Sequence, residues 1–223
     1  MSRPVPRTVF TSYAVAWLYL AGFIAVQLAY AALSPHDQAA VLAWASTNVH
    51  NLRHHPVGCL VASAFVTQTF ATAWPALIAL AMFGANGVLG NWPTVVVCAA
   101  GQVIGTLVSE GIVGYRVDHG LLPPSDRYLI DVGPSYVVVS AIMVALLYGS
   151  WLARAAAALD LALLVFVGDI FAGLSNLDVS AVGHVTAMTV GAVGGSLLVW
   201  QRRRRQQRRG PTLGEDPAGA SAG

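Results

Sequence analysis

The sequence predicts an all-α protein of the membrane, a polytopic bundle of six transmembrane helices. Three observations predict it. Only 10% of the residues are charged and 56% are hydrophobic, whereas soluble domains carry roughly 25% charged residues. Apolar runs of ~20 residues, long enough to cross a bilayer, alternate with short polar intervals. All twelve basic residues are arginine, six of them between Arg202 and Arg209. The net charge of +2 therefore describes a terminal cluster and offers no basic surface for nucleic acid.

Each element can be justified in order. Residues 1–11 are short, basic and broken by Pro4 and Pro6, and read as a cytoplasmic tail. The first span runs from Tyr13 to Leu33, too long for the apolar core of a signal peptide. A polar interval over 34–56 follows, in which Ala39 to Ala45 suits a short interfacial helix. The second span covers Val57 to about Phe83, with Pro75 expected to kink it. The stretch from Gly84 to Pro93 is rich in breakers and predicts a tight turn. The third span, Thr94 to Gly114, carries Gly101 and Gly105 four residues apart, a spacing that lets membrane helices approach closely.

A second polar interval, Tyr115 to Gly133, leads into a fourth span from Pro134 to Gly149. Pro134 suits the first helical position, where a missing N–H costs no bond. Arg154 marks a hinge before a fifth span, Ala155 to Ala172. A loop from Gly173 to Asp178 precedes the sixth, Val179 to Trp200. Residues 201–223 read as an Arg-rich, disordered tail. The membrane domain is thus residues 12–200, with no repeat and no second domain.

Arginine counting orients the bundle. With both ends cytoplasmic, Arg3, Arg7, Arg154 and the six tail arginines lie inside, and only Arg53, Arg116 and Arg127 lie outside. Spans four and six then both run inward from the outer face. Ser135 follows Asp131 by four residues and His184 follows Asp178 by six, so the two enter the same leaflet at similar depth. A Gly-Pro-Ser run read alone merely starts a helix. Ser135 with a histidine at matched depth has the makings of a nucleophile and its base, with N–H groups at the helix start to hold an oxyanion. Gly191, Gly194 and Gly195 permit close contact of the sixth helix with a neighbour.

Other ionisable groups suggest less. Glu110, Asp160 and Asp169 fall within spans, Asp160 within reach of Arg154 near the inner face. A proton or ion path through Glu110 and Asp169 is an alternative reading. His50 and His54 have a metal-binding spacing but no evident third ligand, so no metal is assigned. Cys59 and Cys98 read as small core residues, without a disulfide framework. No cofactor is expected.

Gly133-Pro134-Ser135 opening the fourth helix and Gly183-His184 with Gly191 on the sixth resemble the rhomboid superfamily of intramembrane serine proteases. Gly87 and Gly90 resemble the turn after that family's second helix. The wording from Asp131 to Tyr136, the all-Arg composition and the Ala-rich spans resemble a bacterial branch of actinobacterial type. The resemblance covers residues 12–200. It implies a six-helix core in a bacterial plasma membrane, a Ser135/His184 dyad, and transmembrane helices as substrates. Gly101, Gly105, Gly133, Gly191 and Gly195 are the helix-packing candidates.

There are departures. Active members usually carry Gly after the serine, and here it is Tyr136. They also carry a His and an Asn on the second helix that help hold the oxyanion, and here Gln68 is the candidate donor. Asn86 stands where many members have Glu. These differences imply a second reading, a catalytically silent rhomboid-like protein that binds transmembrane helices and alters their folding, traffic or turnover.

Overall fold

A computed structural model describes residues 9–68 and 72–208, and among them the ordered elements are all helical. They are α1 (Val9–Ser12), α2 (Ala14–Ala31), α3 (Pro35–Ala45), α4 (Val49–His54), α5 (Pro56–Ser63), α6 (Trp74–Leu89), α7 (Asn91–Asp118), α8 (Ser135–Tyr148), α9 (Trp151–Phe166) and α10 (Val179–Arg208). Three of them, α2, α7 and α10, are long and apolar enough to cross a membrane, and α6 and α8 are shorter apolar helices. Large apolar side chains such as Leu18, Leu28, Leu107, Val193 and Leu197 point outward, as suits a bilayer rather than water.

The second predicted span is two helices, not one kinked helix. Pro75 sits in the first turn of α6, where its ring meets no preceding helical turn. The break between α5 and α6 frees backbone carbonyls that an apolar setting must satisfy. α2 supplies the donors: Tyr19 Oη donates to Ala64 O at 2.7 Å and Gln27 Nε2 to Phe65 O at 2.9 Å.

Other boundaries also move. The expected turn from Gly84 to Pro93 is helical except at Gly90, which ends α6 with φ +77°. Pro93 falls in the first turn of α7, where N–H groups have no intrahelical partner to lose. Asn86 serves no turn; its Nδ2 donates to Ser12 O at 2.9 Å. α9 starts at Trp151 because Ser150 caps it, accepting from Ala153 N, so Arg154 lies inside a helix. The tail remains helical to Arg208, consistent with the good helix propensity of Arg and Gln. Residues 1–8 and 209–223 of the expected tails lie outside the described residues.

α8 is the centre of the bundle. Tyr136 meets Gly183, Ser140 meets Ala187 and Gly191, Val144 meets Gly195, and Tyr148 Oη shares a 2.6 Å hydrogen bond with Ser196. Both numbers of each pair rise together, so α8 and α10 run parallel. On the other side Gly101 of α7 lies so close to Ser140 that a Cβ would stand 1.8 Å from its Oγ.

Candidate functional site

The site begins with a loop held before α8. Asp131 N donates to Ser46 Oγ at 2.9 Å, Thr47 N donates to Asp131 O at 2.9 Å, and Gly133 N donates to Ser63 O at 2.9 Å. Gln102 of α7 in turn donates to Ser63 Oγ at 3.0 Å. The loop is therefore anchored to the α3–α5 region and to α7 before it reaches Ser135. Gly133 has φ +146°, and a Cβ there would meet only Ser135 Oγ at 4.0 Å. Its part is backbone geometry, which corrects the expectation that it packs helices.

Pro134 occupies the N-cap and Ser135 the first helical position, one residue later than predicted for the proline. Val138 N makes the first intrahelical bond, to Pro134 O at 2.9 Å. The N–H groups of Ser135, Tyr136 and Val137 thus precede the hydrogen-bonded ladder, at the positive end of the helix dipole.

His184 is buried at 3% exposure. Its Nδ1 lies 3.0 Å from Ile170 O and 3.4 Å from Ser180 Oγ. A carbonyl can only accept, so Nδ1 carries the proton and Nε2 keeps the lone pair. That lone pair has no hydrogen-bond partner. Ser135 and His184 both line a cavity of about 220 Å³, together with Thr67, Trp74, Leu163 and Ser180. The serine–imidazole hydrogen bond is not formed in this geometry.

Tyr136 fixes the imidazole from the side. Its ring lies edge-on to His184 at 5.1 Å between centroids, and its hydroxyl donates to Asp131 Oδ2 at 3.2 Å or Val179 O at 3.3 Å. Asp131 also accepts from Thr47 Oγ1 at 3.3 Å. Burial pushes the Asp131 carboxyl up from its ordinary value, and the hydrogen bonds from Tyr136 and Thr47 pull it part way back. In the sequence Tyr136 stood out only as a residue in place of glycine. Gly183 was likewise seen only as part of a motif; a Cβ there would lie 2.0 Å from Tyr136 Oη.

The remaining candidates stand elsewhere. Gln68 is exposed and does not line the cavity, which Thr67 does. Gly105 packs against Gly183 O and Tyr136, Gly191 against the Ser140 backbone, and Gly195 against Val144. Glu110 is buried near the Val49 backbone, beside a cavity of about 310 Å³ that Arg53 and Asp118 also line. Asp160 is buried and does not pair with Arg154, whose guanidinium instead donates to Leu147 O at 2.9 Å. Asp169 lies beyond the end of α9 with φ +49°, not within a helix. His54 Nδ1 donates to His50 O at 2.8 Å. Among the described residues no group of three or more His, Cys, Asp or Glu is placed to hold a metal.

Described residues that are all helical in their ordered elements, with apolar outward faces and three helices long and apolar enough to cross a bilayer, define an integral membrane protein. Its family follows from comparison: the family model described as rhomboid-like protein matches residues 10–204, and the chain belongs to the rhomboid-like proteins. No curated protein and no solved structure matches it.

Proposed function

We propose that this protein is an intramembrane serine protease of rhomboid type, acting on transmembrane helices in a bacterial plasma membrane. In this reading the domain over 12–200 crosses the bilayer six times, α5 and α6 together forming one crossing, and both termini are cytoplasmic. One observation carries it: the unshared lone pair of His184 Nε2 belongs to a side chain that lines the same cavity as Ser135. Ser135 gives its proton to Nε2 as Oγ bonds to the peptide carbonyl carbon. The N–H groups opening α8 hold the oxyanion. The C–N bond then breaks as His184 returns the proton to the leaving amine, and water hydrolyses the ester. The closing of the serine–histidine hydrogen bond falls to the substrate-bound state, since apo geometry is often loose.

A second reading, a silent protein that binds transmembrane helices, is favoured by Gln68 lying outside the cavity and by the unmade Ser135–His184 bond. A fluorophosphonate probe, which traps activated serines, separates the two. The protease reading expects labelling of the detergent-solubilised wild type that is lost in both Ser135→Ala and His184→Ala. Absence of labelling in folded wild type selects the silent reading.

A further inference from the structure

At the end of the bundle opposite Asp118 and Asp178, the termini of α6, α8 and α10 and the start of α9 border an open cavity of about 510 Å³. Arg154, Arg202 and Arg203 line it, with Gln206, Tyr148 and Val199. Arg202 donates to Val88 O at 2.6 Å and Arg154 to Leu147 O at 2.9 Å. Each side chain is thereby tethered by one N–H and keeps most of its five donors for another acceptor. Among the described residues no carboxylate pairs with these guanidinium groups; the ion pairs are His36–Asp37, Arg53–Asp118 and Arg127–Asp118, all at the other end. Among the described residues, three cations therefore face one cavity without a counter-charge.

The level of this cavity is marked independently. Trp92 and Trp151 are 73% and 76% exposed at the same end, beginning α7 and α9. The Trp200 ring carries the Arg204 guanidinium 3.7 Å from its centroid. Indoles at helix ends sit at the lipid headgroup. Planar guanidinium forks match phosphate oxygens. Walls from Val88, Leu147 and Val199 suit the glycerol and first acyl carbons.

We propose that this cavity binds the phosphodiester headgroup of an anionic phospholipid. Three arginines, with no acidic residue among the described residues of the lining, leave nothing there to receive the ammonium of a zwitterionic headgroup, so the site discriminates by charge. The proposal rests on membrane placement and is independent of the Ser135–His184 chemistry.

Native mass spectrometry of the full chain released from detergent tests it, with phosphatidylglycerol, phosphatidylcholine and inorganic phosphate as separate probes. Phosphatidylglycerol is expected as a one-to-one adduct retained about tenfold better than phosphatidylcholine, a ratio set by charge-assisted hydrogen bonding. The double variant Arg202→Gln/Arg203→Gln loses that preference, whereas Arg204→Gln/Arg205→Gln, with the same charge removed beside the cavity, keeps it. Equal retention of the two lipids, an unaffected pocket variant, or displacement of the lipid by equimolar phosphate overturns the proposal. If the double variant does not fold, Arg154→Gln on a different helix decides, because unchanged preference there is equally fatal.

Discussion

At the residue scale, Tyr136 and Asp131 tie the start of α8 to His184 and to the α3–α4 region. Tyr136 holds the imidazole edge-on, and its hydroxyl reaches the Asp131 carboxylate, which Thr47 also meets. Asp131 lies in the loop before α8, where burial raises its carboxyl above the ordinary 3.8. The folded chain therefore holds this proton to higher pH than the unfolded chain. The stability this contributes is complete below the unfolded value and is lost as pH rises through the folded one. Thermal unfolding is thus expected to show a midpoint that falls with rising pH just above the usual carboxylate range. Asp131→Asn, which keeps an acceptor oxygen for Tyr136 and Thr47, flattens that slope; a variant as steep as wild type shows that another group sets it.

At the element scale, the bundle is organised by how closely α7 and α10 approach α8. A Cβ at Gly191 would lie 2.5 Å from Ser140 O and 2.8 Å from Ser140 Cα, both backbone atoms that cannot swing aside. At Gly194 the nearest atom would be Val97 Cγ2 at 3.5 Å, an ordinary contact. Gly191→Ala is therefore expected to destabilise by about 1–3 kcal/mol, the usual range for overpacking, and Gly194→Ala to change little. Thermal midpoints of the two variants in detergent check this; equal effects mean that α10 is not seated on Ser140. The glycine spacing pointed to close helix contact, and Gly101, Gly105, Gly191 and Gly195 do pack closely; Ser135 and His184, expected at one depth, line one cavity. The break between α5 and α6 was not legible. Pro75 reads the same whether it kinks a helix or starts one. What decides is Tyr19 and Gln27 taking the freed carbonyls of residues 45 and 38 positions away. The contacts of Tyr136 with Asp131, Val179, Gly183 and His184 were not legible either, since no local pattern encodes them.

At the scale of the whole molecule, charge is divided between two ends. Arg154 and Arg202 to Arg205 gather at one, while Asp37, Asp118, Asp126, Asp131, Asp169 and Asp178 stand at the other with Arg53, Arg116 and Arg127. α8 is only 14 residues long, about 21 Å at 1.5 Å per residue, short of a hydrocarbon core of about 30 Å. It remains compatible with a crossing because the chain from Leu129 to Gly133 is hydrogen-bonded to Ser46, Thr47 and Ser63, so the irregular backbone before α8 stays satisfied within protein. Under the proposed membrane placement, the arginine asymmetry is expected to direct the Arg154 and Arg202 end to the cytoplasm. Single cysteines at exposed Leu121 and at Gln206, in a chain with Cys59→Ser and Cys98→Ala, turn this into a measurement. A membrane-impermeant maleimide added to intact cells is expected to label the cysteine at 121 and to reach the one at 206 only after the membrane is opened. The reverse pattern places the arginine cluster outside, and labelling of both in intact cells means that the two ends do not lie on opposite sides of one bilayer.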